Sequence, residues 1–350
     1  MSKLKHDIKS FVPDSIVAII RIIENKGFDV YIVGGAIRDI LLGRYPTEYD
    51  LASNAMPEQL EALFDNVTLD GKAYGTIRVH HNGVTTEVTT FRNESQYEDS
   101  RHPNCIEFVS SIEEDLLRRD FTINALAYSF SDDKLIDRCN SMTDLNNKLL
   151  VCVGDPIRRF KEDTLRPYRA FRFMSQLGFR LDASVIKALP DLVDCPQPSV
   201  ARIRQEMDRL LLGKFWLSAL NIMNQVGWLK CVIQSDIVIS HKDCPHHLLF
   251  RWAWLLSHGN FMVLASRFQF SKKDIRIMAD IIQWDFDEYA LSISMKDVLI
   301  SSIELNRYGF FGVELGQIKQ LLLTKIRKKE LDNTNANLHE FITDYLKKRN

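Results

Sequence analysis

The stretch YIVGGAIRDILLGRYPTEYDLAS, residues 31–53, decides how the chain begins to fold. FDVYIV (28–33) is rich in β-branched and aromatic residues and reads as a strand, which Gly34 and Gly35 break. AIRDILL then reads as a short helix closed by Gly43. Beyond it, Glu48 and Asp50 stand two positions apart in an apolar run that reads as a second strand. Alternate residues of a strand share a face, so both carboxylates would point the same way, within reach of one cation cluster. Strand, glycine turn, helix and acidic strand in close succession predict a mixed α/β unit.

TIRVHH and VTTEVTTFR, joined by Asn82-Gly83, read as a hairpin with a type I′ turn, and its second strand adds Glu87. Three carboxylates converging from neighbouring strands describe a two-metal phosphoryl-transfer site. Mg²⁺ ions about 3.5–4 Å apart there activate a hydroxyl and steady a leaving pyrophosphate. The plain competitor is a solvated strand edge, where a short acidic pair is ordinary. The Gly34-Gly35 turn weighs against it, because backbone N–H groups at a strand-to-helix turn can approach a phosphate closely. Arg38, one turn into the helix, is placed to clamp a triphosphate oxygen.

The rest of the chain sets limits. At 350 residues and 45% hydrophobic it can bury a large core and should divide into two or three domains. Lys+Arg 45 against Asp+Glu 46 leaves a net charge of −1, so any RNA binding must come from a local patch. MSKLKHDIKS lacks the apolar core of a signal peptide, and no apolar run approaches the ~20 residues of a membrane span. Cysteines 105, 139, 152, 195, 231 and 244 form no CxxC pair, which suits a reducing compartment; the expectation is a cytoplasmic protein. HKDCPHH (241–247) fits no zinc spacing. Near residue 145 the texture turns helical, as in RFKEDTLRPYRAFRFMSQLG and SVARIRQEMDRLLLG. The expected fold class is α+β, a mixed β-sheet head followed by an all-α remainder.

Two later segments carry polar chemistry. In LLRRDFTINALAY (116–128) the apolar residues read as core, leaving Arg119, with Asp120 and Asn124, for ribose or phosphate contacts. In the helical part, Asp163 and Arg166 at i and i+3 would share a helix face, and Arg169 and Arg172 continue the stripe. A carboxylate accepts from the exocyclic amine of cytosine or adenine while a guanidinium donates to the adjacent ring nitrogen. Uracil and guanine reverse that pattern, a costly mismatch when buried. The competing reading is a surface ion pair worth about 0.3–0.5 kcal/mol. RNESQYEDSRHP (92–103) is polar and aperiodic, and reads as a loop beside the site or on the plain surface.

With DGKAYGTIRV and TEVTTFRNESQYEDSRHP, these motifs resemble, in order, class II CCA-adding tRNA nucleotidyltransferases of the tRNA nucleotidyltransferase/poly(A) polymerase family, densely from about residue 30 to 212. The resemblance implies a nucleotidyltransferase head (1–145), a helical neck that recognises the base (146–214), and a helical body and tail that bind tRNA (215–350). It implies Mg²⁺-dependent, template-free addition of C and A, from CTP and ATP, to the 3′ end of tRNA. Glu48 and Asp50 match the metal-binding pair and Glu87 the third catalytic acid. Gly34, Gly35, Arg38 and Arg119 match nucleotide contacts; Asp163, Arg166, Arg169 and Arg172 match the neck residues that read the base and hold its triphosphate.

The chain departs from that family in three places. Asp is usual where Glu48 stands, and the extra methylene moves a carboxylate by roughly an ångström in a geometry Mg²⁺ holds tightly. Pro167 follows Arg166, where it would bend a helix unless it lies in the first turn. The C-terminal part is shortened, and its basic segment KIRKKELDNTNANLHEFITDYLKKRN reads either as a contact to the tRNA backbone or as a solvated helix face. The other readings are an A-adding enzyme, a poly(A) polymerase and a non-catalytic tRNA-binding protein; the intact 92–103 segment speaks against a CC-only enzyme.

Overall fold

The computed structural model describes residues 7–97, 103–235, 239, 244–285 and 287–349. The chain forms two compact units, Met1–His241 and Lys242–Asn350. The first unit begins with a mixed seven-stranded sheet. Its strands are β1 (Val30–Val33), β2 (Asp50–Ser53), β3 (Val67–Thr68), β4 (Thr76–His81), β5 (Val84–Thr90), β8 (Leu126–Ser129) and β9 (Lys134–Asp137), in the order β3-β4-β5-β2-β1-β8-β9. β1 is apolar because it is central: Val30, Ile32 and Val33 are buried between β2 and β8, both antiparallel to it. The glycine turn leads into helix α1 (Gly35–Leu41), as the sequence predicts, and helix α2 (Pro57–Leu63) follows β2.

Register places the acids. β2 pairs in parallel with β5, Leu51 opposite Val88, and both side chains are buried on one face. The preceding residues, Asp50 and Glu87, therefore emerge together on the opposite face. The hairpin turn at Asn82 (φ 47°) and Gly83 (φ 76°) has the two positive φ angles of a type I′ turn. Glu48, expected on the strand with Asp50, lies instead in the loop ahead of it, since β2 begins at Asp50. Tyr49 accounts for this: its buried ring is tied by its hydroxyl to the Phe11 carbonyl, and its own carbonyl accepts from Thr86 Oγ1.

The polar segment expected to be a loop forms a ribbon, β6 (Arg92–Tyr97) antiparallel to β7 (Pro103–Phe108); residues 98–102 lie outside the described residues. β6 reads RNESQY, with no apolar alternation, so the sequence carries no strand signal over it.

The neck also differs from expectation. No single helix carries Asp163 and Arg166: α3 (Pro156–Glu162) ends, Asp163 is extended (φ −138°, ψ 107°), and α4 (Arg166–Leu177) begins. Pro167 falls in the first turn of α4, where its missing N–H has no intrahelical partner to lose. α4 packs on α5 (Val200–Leu211), and Ser175 Oγ donates to the Leu210 carbonyl at 2.5 Å. The second unit is helical around Leu305, Leu322, Leu338 and Ile342. Among the described residues no helix is long and apolar enough to cross a membrane.

Gly213 closes the α4–α5 contact: a Cβ there would sit 1.9 Å from Ser175 Oγ and 2.7 Å from its carbonyl. Gly213→Ala is therefore expected to cost about 1–3 kcal/mol of overpacking. Urea denaturation checks this; an unchanged midpoint would mean that the two helices are not closely fitted.

Candidate active site

One cleft of about 610 Å³ lies within the first unit. Gly34, Gly35, Arg38, Asp50, Glu87, Arg119, Asp163, Arg166, Arg169 and Arg172, singled out in the sequence, all line it. Glu48 is exposed in its loop and is outside that lining. Its charge still reaches Asp50. Burial raises the Asp50 carboxyl to about 6, with Glu87 and Glu48 pushing the same way and Arg119 and Arg169 opposing them. Asp50 is open to water yet sits on a concave floor hemmed by protein, so its charge is poorly solvated.

The basic wall is built by hydrogen bonds from head to neck. Gly34 adopts φ +69°, and a Cβ there would stand 2.9 Å from Arg119 Nη1, so glycine serves both the turn and the approach of that guanidinium. Arg119 Nη2 is held by buried Asp115 at 3.0 Å. Arg38 Nη1 donates to Asn124 Oδ1 at 2.8 Å, Asn124 Nδ2 donates to Asp120 at 3.1 Å, and Arg169 Nε donates to Asp120 at 2.6 Å. Burial alone would raise Asp120; Arg169, Asn124 and the Phe121 N–H together hold it well below the usual carboxylate range. Arg172 pairs with Glu206 of α5 at 2.5 Å, while burial and the neighbouring Arg169 bring it down to about 10.

Sequence reasoning missed several participants. Asp115 was legible as an i, i+4 partner of Arg119. Phe173 was not: its ring centroid lies 5.3, 5.5 and 4.1 Å from the Cζ atoms of Arg38, Arg169 and Arg172, gathering three guanidiniums around one aromatic. Arg202 comes from α5 and approaches Asp163 at 3.4 Å. Asp163 also accepts the Leu165 N–H at 3.0 Å. Arg166 is fixed by Glu162 at 3.0 Å and by the carbonyls of Arg159 and Arg118. Arg202 with Asp163, and Arg166 with the Arg118 carbonyl, are tertiary meetings without a spacing in sequence, whereas Glu162 stands at i, i+4 from Arg166.

Among the described residues no three His, Cys, Asp or Glu side chains form a metal-holding group. Mg²⁺ uses one or two carboxylates and completes its octahedron with substrate phosphates and water. An acid with a raised pKa beside a second carboxylate fits such an ion. The larger part of the lining fits a polyanion, since eight arginines (38, 92, 118, 119, 166, 169, 172 and 202) face four acids (50, 87, 120 and 163).

Residues 30–151 match the family described as the Poly A polymerase head domain. That match takes in the sheet from β1 to β9. The chain is 43% identical over 208 residues to a CCA-adding enzyme of Bacillus pumilus, spanning 59% of this chain and 52% of that protein. A CCA-adding enzyme of Geobacillus kaustophilus is 37% identical over 267 residues, 75% of this chain and 64% of that one. The chain thus spans about half to two thirds of the length of these curated relatives. The Bacillus stearothermophilus CCA-adding enzyme in complex with CTP shares the fold, with a TM-score of 0.68 at 23% identity, covering 96% of this chain and 98% of that one. The matched residues therefore include Asp50, Glu87 and the glycine turn, while Asp163 to Arg172 lie beyond the match.

The shifted acid supplies a test. In metal-free protein the Asp50 carboxyl should titrate near 6. Glu87→Gln should lower that value, because removing a neighbouring negative charge favours ionisation. Side-chain carboxyl ¹³C NMR reads both; titration near 4 in both proteins would show that Asp50 is well solvated.

Proposed function

We propose that this protein adds C and A, from CTP and ATP, to the 3′ end of tRNA and releases pyrophosphate. One observation carries the reading: the paired acids on strands β2 and β5 open into the same cleft as a wall of arginines drawn from head and neck. The curated relatives named above are CCA-adding enzymes, which supports the choice of tRNA as acceptor.

Arg38, Arg119, Arg169 and Arg172 hold the triphosphate, with Gly34 and Gly35 leaving room for it. Asp50, which lines the cleft with Glu87, would hold Mg²⁺, which supplies charge neutralisation and lowers the pKa of the attacking hydroxyl when bound. The 3′ hydroxyl oxygen forms a bond to the α-phosphorus as the bond to the β-phosphate breaks, and pyrophosphate leaves with the electron pair. The hydroxyl proton leaves through the carboxylates of the floor, where Glu87 stands beside Asp50.

Asp163 and Arg166 read the base. Asp163 spends one interaction on Leu165 and one on Arg202, and a carboxylate has acceptor capacity beyond two. Arg166 has its fork immobilised by Glu162 and two carbonyls, so it meets the base with little entropy left to lose. Cytosine and adenine satisfy this acceptor-donor pair. Uracil and guanine do not.

The experiment offers three tRNAs, lacking CCA, CA or only A, with CTP and ATP together, and sequences the products. All three should end in CCA, and Asp50→Ala should abolish transfer with folding intact. Extension of only the tRNA that already ends in CC would mark an A-adding enzyme, and long A tails a poly(A) polymerase. No product from any of the three would overturn the proposal. Asp163→Ala should also admit UTP and GTP in single-turnover assays, because it removes both the preferred acceptor and the clash with a carbonyl; unchanged selectivity would reduce Asp163 to a structural role.

A further inference from the structure

A second hollow of about 260 Å³ continues the cleft on the far side of Glu87, lined by Thr68, Gly71, Tyr74, Thr76, Arg78 and Arg92 among others. Tyr74, Glu87 and Arg92 line both spaces. We propose that this hollow seats the 3′-terminal nucleotide of the RNA acceptor, with its base on Tyr74 and a backbone phosphate on Arg78. This rests on the nucleotidyl-transfer reading above and extends it to the second substrate.

Sheet order makes the argument. Reading across β3-β4-β5-β2-β1-β8, the glycine turn after β1 and the Arg119–Asn124 segment before β8 lie on one side of Asp50. Glu87 on β5, Arg78 and Thr76 on β4 and Thr68 on β3 lie on the other. In a displacement at phosphorus the attacking and leaving oxygens stand roughly in line on opposite sides. With the triphosphate among the arginines of the first side, the attacking hydroxyl must come from the second, where this hollow opens.

Its chemistry suits a single-stranded nucleotide. Tyr74 ends a 3₁₀ turn (Lys72–Tyr74) that Gly75 closes with φ +75°. Lys72 ties that turn to Glu61 at 2.5 Å and Glu58 at 3.5 Å. A Cβ on Gly75 would lie 2.7 Å from Phe108 of β7, so the ribbon backs the turn. The result is an aromatic ring 37% exposed on a braced support, the arrangement on which unpaired bases stack. Arg78 donates to Glu87 at 2.9 Å through Nη2, and its five donors let it hold a phosphate as well, which would couple acceptor binding to the catalytic floor.

The test uses the full chain and a tRNA ending in CC whose terminal base is replaced by 2-aminopurine, with its fluorescence read in the bound state. Wild type should quench the fluorophore by stacking, Tyr74→Phe should keep the quenching, and Tyr74→Ala should lose it. In parallel steady-state assays with unmodified tRNA, Tyr74→Ala and Arg78→Ala should raise the acceptor KM about 5- to 100-fold, the span expected of a lost base stack, while the KM for ATP stays within twofold. Quenching unchanged in Tyr74→Ala, or a rise confined to the KM for ATP, overturns the subsite. Transfer without Tyr74-dependent quenching sinks the subsite alone. Tyr74-dependent quenching in a protein that transfers no nucleotide sinks the transfer reading and leaves the subsite standing.

Discussion

The ion pair between Asp120 and Arg169 is the contact on which the site depends. Asp120 belongs to the head and Arg169 to the first long helix of the neck, and their 2.6 Å contact lies in the wall of the cleft. Asp120 is 8% exposed and accepts, besides Arg169, the Phe121 N–H and the Asn124 amide. Through Asn124 the connection runs on to Arg38, so a residue of the glycine-turn helix and one of the neck are held by a single relay. Breaking a buried pair of this kind by removing one partner typically costs about 3–5 kcal/mol, because the remaining charge has no comparable partner. The arrangement of the arginine wall is thereby tied to the stability of the fold.

The same relay solves an electrostatic problem. Arg38, Arg169 and Arg172 crowd around Phe173, and like charges at that separation repel. Asn124, Asp120 and Glu206 each engage one of them, and the ring face adds attraction. These partners hold the guanidiniums in place before a polyanion arrives, so binding spends little on ordering them. At the other end of the cleft Asp50 and Glu87 are poised for a cation. The polarity runs along the sheet, basic beside β1 and β8 and acidic at β2 and β5, and it orients any triphosphate bound there.

Much of this was legible in the sequence, for reasons that are physical. Period-two apolar runs and a two-residue Asn-Gly turn locate strands, and the Gly-Gly break after β1 marks the strand-to-helix turn; each is a local signal. Glu87 could be tied to Asp50 because a hairpin strand following a short acidic strand has few places to go. What stayed hidden was tertiary or masked by composition. Glu48 slips out of the strand because Tyr49 is buried, a fact of packing. Asp163 leaves the helix because α4 starts afresh at Arg166 with Pro167 in its first turn, so the i, i+3 face drawn from spacing does not form. Arg202 and Phe173 reach the cleft, and Glu206 reaches Arg172, from helix surfaces where charged and aromatic residues are unremarkable. β6, with the sequence RNESQY, offers no apolar alternation.

The central claim is that the head-to-neck relay organises nucleotide binding, and a double-mutant cycle on Asp120 and Arg169 tests it most directly. CTP affinity is measured by calorimetry for wild type, Asp120→Asn, Arg169→Gln and the double variant, with folding of each confirmed by circular dichroism. The account predicts that each single change weakens CTP binding at least tenfold. The double variant should bind no worse than the weaker single, leaving a coupling of at least about 1.4 kcal/mol, the equivalent of that tenfold. Two losses that simply add, with no coupling between them, would contradict it: Asp120 and Arg169 would then act on the nucleotide independently and the relay would be a packing detail.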